Sequence, residues 1–116
     1  MSTDYSKMSD QEINMAIARM FFPDDIVIES RSQPPSACIT CSPSRWVDYC
    51  NNPADAWPII HYNRIGVIPA PCYGEWKAAH RAVGDDGTPH HFTQHTNPLR
   101  AAMIVFLKMQ ESKNDS

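Results

Sequence analysis

The chain has little glycine, four residues in 116, and none of the four lies in a loop able to cradle a phosphate group. Such loops need several glycines so that backbone amides can approach the anion. Long apolar runs are also missing. The longest, residues 101–107, falls far short of the roughly 20 residues that span a bilayer. Lysine and arginine are scattered singly and the formal net charge is −3, so the basic patch of a nucleic-acid footprint is absent and nucleic acid is disfavoured as a partner. The N-terminus lacks a charged start followed by an apolar stretch and a small-residue cleavage site, which argues against export. With no export signal, the four cysteines are expected to be reduced thiols in a cytoplasm. None of Ser42, Ser44, Cys50 or Cys72 sits in a recognisable nucleophile elbow, so no catalytic residue is assigned and an enzyme is disfavoured.

What the chain does contain is core material and hard stops. Its length suits a single domain, residues 1–116, with loose polar tails at about 1–7 and 112–116. Ser9 and Glu12 have the spacing of a capping box, and Met8 and Ile13 that of a hydrophobic staple. A helix over residues 10–21 follows, with Ile13, Ala16, Ile17 and Met20 as its apolar stripe. Residues 25–30 and 37–41 read as two strands around Pro34-Pro35. Asn52-Pro53 starts a second helix, which Pro58 is expected to kink or break, and residues 65–68 form a third strand. Residues 75–83 suit either helix or strand. The Asp85-Asp86-Gly87 turn before residues 90–95 decides for a hairpin. The last element, residues 97–111, is apolar around most of its circumference, with Asn97 as cap and Pro98 in the first turn. It must be buried, either between the sheet and the other helices or in a homodimer where two such helices meet. Only a narrow strip through Arg100 and Lys108 is polar. The expected fold is α+β, an antiparallel sheet of about five strands with three helices packed on it in the order αββαβββα.

Asp4-Tyr5-Ser6, the block from Tyr49 to Ile60, Asn63-Arg64-Ile65 and the final helix together resemble the NinX-type phage proteins. These are small proteins of unknown function encoded among accessory genes of lambdoid phages and prophages, similar in turn to phage domains described as an α/β/α sandwich. The resemblance implies a phage or prophage accessory protein in the host cytoplasm. It brings no catalytic or binding residues with it.

Chemistry must therefore be sought in the residues. Cys38 and Cys41 form one C-x-x-C pair, which is half a zinc site, and in a strand the two thiols would point to opposite faces. His91 and His95 would share a strand face but lack a dependable third ligand. Neither pair defines a metal site, and no cofactor is expected. Among the aromatics, Trp57 is the expected anchor between the second helix and the sheet. Tyr73 and Trp76, bracketing Gly74, are the candidates for an exposed interaction pair. The function these observations favour is a non-enzymatic module contacting a host or phage protein. The alternatives are a nucleic-acid-associated factor and a small enzyme or metal-binding protein using the Cys and His residues.

Overall fold

The computed structural model describes residues 4–40, 43–80 and 92–114. Helix α1 (Asp10–Phe21) starts where its capping chemistry directs. The Ser9 hydroxyl accepts the Glu12 amide at 3.1 Å, and the Glu12 carboxylate accepts the Ser9 amide at 3.1 Å. These bonds, the backbone one foremost, hold the Glu12 carboxyl below its ordinary range. The buried face is Ile13, Asn14, Ile17 and Ala18. It is rotated from the expected stripe, so that Met20 is exposed, because Asn14 turns inward to bond other segments.

The strands form two sheets rather than one. β1 (Val27–Glu29), β2 (Ala37–Ile39) and β3 (Arg45–Val47) make an antiparallel meander with Ile28, Cys38 and Trp46 in register. β4 (Ile65–Pro69), β5 (Trp76–His80) and β6 (Phe92–His95) make a second meander. The expected single five-stranded sheet is thus corrected to two three-stranded sheets within the same α+β class. β3 has three residues, of which only Val47 is buried, too short for an alternation to register. Residues 76–80 take the strand alternative, with Ala78 buried. The Asp85-Asp86-Gly87 turn lies outside the described residues.

Helix α2 (Pro53–Asn63) connects the two sheets. The Asn52 side chain accepts the Ala54 amide at 3.0 Å, and Pro53 occupies the first turn, where no N–H is needed. The helix continues through Pro58, so of the expected kink or break the break does not occur. Pro58 cannot donate to the carbonyl of Ala54, but Ala54 is exposed, so water can take that bond. Arg64, left-handed at φ 57°, ends the helix and turns the chain into β4.

Helix α3 (Pro98–Asn114) is the centre of the core. The Asn97 side chain accepts the amides of Leu99 at 3.0 Å and Arg100 at 3.2 Å. Residues 101–107 and Met109 are buried. The helix packs against all three strands of the second sheet, against α1 and α2, and against a 3-10 turn at Tyr5–Lys7. Of the two arrangements foreseen for so apolar a helix, burial within one chain is the one observed. Arg100 does not lie on a solvent-facing strip. It is only 7% exposed, pairs with Asp10 at 2.7 Å, and donates to the carbonyls of Met8 at 2.6 Å and Ser6 at 3.2 Å. Residues 4–7, within the stretch expected to be loose, are tied down by these bonds and by the Tyr5 hydroxyl, which donates to Glu111 at 2.5 Å.

Candidate functional site

Two parts of the molecule concentrate functional groups. The first is a polar junction where the N-termini of all three helices meet. Asn14 is fully buried. Its amide donates to the Pro35 carbonyl at 3.0 Å and to Asp48 at 2.9 Å, and its oxygen accepts the amides of Tyr49 at 2.8 Å and Cys50 at 3.2 Å. The Asn97 amide donates to the Cys50 carbonyl at 2.8 Å. The Asn51 amide bridges Asp10 and Asp48 at 3.3 and 3.2 Å. These groups satisfy one another and tie connections to helix starts, which is the work of a structural network. Burial first, then the nearby Asp10 charge, pushes the Cys50 thiol well above its ordinary range. It stays protonated and is no nucleophile.

Of the residues singled out for metal, Cys38 and His95 lie among the described residues, on different sheets. Cys38 is in the first and His95 in the second, where the Nδ1 atom of His95 accepts the Asn97 amide at 2.9 Å. Cys41 and His91 lie outside the described residues. Among the described residues no group of three or more His, Cys, Asp or Glu side chains is placed to hold a metal ion. Tyr73 is fully exposed beside Gly74, whose φ of 83° allows the tight turn. Trp76 is instead a half-buried strand residue opposite His95. Trp57 does not anchor α2 to a sheet. It is 59% exposed, its ring 5.8 Å from that of His61.

The second part is an apolar groove between the end of α1 and the outer side of α2. It comprises two adjoining cavities of about 350 and 310 Å3 that share Phe21, Pro58 and Ile59. Tyr62 and Asn63 close one end, and Phe22, Arg45, Val47, Tyr49 and Asp55 line the other. Phe21 is 49% exposed, yet its inner face stacks on Phe106 at 5.8 Å with the rings 9° apart, so the groove wall is braced by the core. Sequence reading missed this face because Phe21, Pro58 and Tyr62 belong to no motif. The one available signal is Phe21-Phe22 at a helix end stopped by Pro23, outside the apolar stripe of α1.

Polar groups are few here and specifically placed. Arg45 and Val47 lie two apart on β3 and so share a face, and Tyr49, in the turn that follows, lines the same groove. The Arg45 guanidinium lies 5.3 Å over the Phe22 ring and makes no ion pair among the described residues. Asp55 accepts the Asp48 amide at 3.0 Å. Tyr49 is buried and lines the groove, and no described group forms a hydrogen bond with its hydroxyl. Burial above all, and then the Asp55 charge, raises its pKa from 10.0 to about 12. The fold favours the protonated phenol, so this stabilisation is complete below pH 10.0 and is lost as pH rises from there to about 12. A tyrosinate-absorbance titration should contain a step near pH 12 that is missing from Tyr49→Phe. A Tyr49 step at its ordinary value would contradict the burial described.

The fold is that of a small α+β protein with an apolar groove between α1 and α2. The chain belongs to the family described as Bacteriophage P22, NinX, whose family model matches residues 4–110. No curated protein matches the chain.

Proposed function

We propose that this phage or prophage accessory protein is non-enzymatic and acts in the host cytoplasm by docking a host or phage protein into the groove between α1 and α2. The observation that carries the reading is the exposure of Phe21 and Tyr62, the latter at 85%, on the two helices that wall the groove, with Trp57 exposed beside them on α2. Aromatic side chains around a preformed cavity are the usual anchors of protein interfaces, because they bury much area while losing little side-chain entropy. The lining agrees with a binding role. Asp55 is engaged by a backbone amide and Tyr49 is held neutral, which leaves no acid–base pair poised for chemistry among the described lining residues.

The test is affinity capture with the parent chain and with a Trp57→Ala/Tyr62→Ala double variant. Both residues are exposed, so the variant keeps its fold. The expected result is a stoichiometric protein retained by the parent and weakened about tenfold or more in the variant. Equal retention by both chains would overturn the reading. So would nucleic acid released by salt as the only bound species, or turnover of a metabolite by the purified chain.

A further inference from the structure

We infer that the docked element is a short linear segment of a partner protein in which an apolar or aromatic side chain is flanked by an Asp or Glu carboxylate. The inference rests on the groove being a protein-docking site and adds the chemistry of what it accepts. Three observations converge on it. The cavity bordered by Phe21, Pro58, Ile59 and Tyr62 is apolar, of a size to take one large side chain. At its other end Tyr49 is buried and its hydroxyl has no hydrogen-bond partner among the described residues, in a groove where every neighbouring wall is apolar except Arg45 and Asp55. The hydroxyl opens onto the groove, so an incoming acceptor can take its hydrogen bond in place of water.

The third observation is charge. Arg45 is exposed, held over Phe22 by its guanidinium face, and free of any ion pair among the described residues, so the edge of the guanidinium can fork onto a carboxylate. Asp55 lines the same end and its charge is felt at Tyr49, so an incoming carboxylate has to approach from the Arg45 side, with Asp55 held back by its bond to the Asp48 amide. Tyr49 and Arg45 therefore both offer donors to the groove, and Arg45 favours an anion. A second copy of this chain is a poorer occupant. The α3 face that seemed to call for a dimer is covered within one chain, and a net charge of −3 opposes self-association.

The test uses blocked hexapeptides with Leu, Phe or Trp at the centre and Glu, Gln or Lys at each flanking position, titrated into the full chain and followed by amide shifts at Phe21, Tyr49 and Ile59. A Glu-flanked peptide should bind about tenfold more tightly than its Gln counterpart, and added salt should shrink the difference. Arg45→Ala should abolish the Glu preference while the apolar anchor still binds. Tyr49→Phe should weaken all peptides severalfold and leave the charge preference intact. Gln or Lys peptides binding as well as Glu would overturn the carboxylate inference while leaving apolar docking in place. So would an absence of binding by every peptide, even with a captured partner that the Trp57→Ala/Tyr62→Ala variant loses. If sedimentation finds a dimer that Arg45→Ala dissociates, the occupant is a second copy and the inference fails.

Discussion

Phe106→Ala should lose about 3–5 kcal/mol of unfolding free energy, a large part of what a small domain has. Phe106 is almost fully buried on α3, and its ring is stacked face to face on Phe21. Truncation removes apolar area and leaves a cavity bounded by α1 and α3, which cannot collapse because both helices are fixed at their N-termini by Asn14, Asn97 and Arg100. The same change takes the support from behind the groove wall. Chemical denaturation measures the loss. A parent-like midpoint would mean that α3 is not the centre of the core.

Asn14→Leu should cost about 4 kcal/mol, because each buried group left without a partner costs about 1–3 kcal/mol, less where water reaches it, and the methyls are bulkier than the amide they replace. The larger side chain opens no cavity, so the loss comes from the orphaned groups and from crowding. The amides of Tyr49 and Cys50 lose their acceptor and the Pro35 carbonyl loses a donor, all against a fully buried side chain. The Asp48 carboxylate still has Asn51. Asn14→Asp is expected to lose stability as well, because its carboxylate keeps the acceptor for the two amides but is buried against the Asp48 carboxylate and the Pro35 carbonyl. Lowering the pH, which neutralises the pair, should narrow its deficit and leave that of Asn14→Leu in place. Equal stability of parent and Asn14→Leu would show that water replaces the network.

The sequence made the local features legible. Ser9 with Glu12, Asn52 with Pro53, and Asn97 with Pro98 each announce a helix start through bonds to the nearest amides, and all three helices begin there. Sheet membership was not legible, because which strands pair depends on partners far along the chain and on an element as short as β3. Arg100 and Asn14 look like surface residues by type. They are buried because segments 90 and 35 residues away supply their partners. The groove was hidden for a similar reason. Phe21 and Tyr62 read as core formers, and only the placement of α2 against the end of α1 leaves them on a shared open face. Trp57 was expected inside because the Ala-Trp-Pro-Ile-Ile corner is apolar, yet Ala56, Ile59 and Ile60 take the inward face of α2 and turn it outward.

That the open α1–α2 face is where a partner protein sits can be tested by position. A photoreactive benzoylphenylalanine is placed at Tyr62, beside the groove, and in a separate protein at Ile68, also open to solvent on β4 but absent from the groove lining. Irradiation of each with the captured partner should give an adduct from position 62, mapping to one short segment of that partner, and none from position 68. An adduct from position 68 with none from position 62 would place the partner elsewhere and contradict the account.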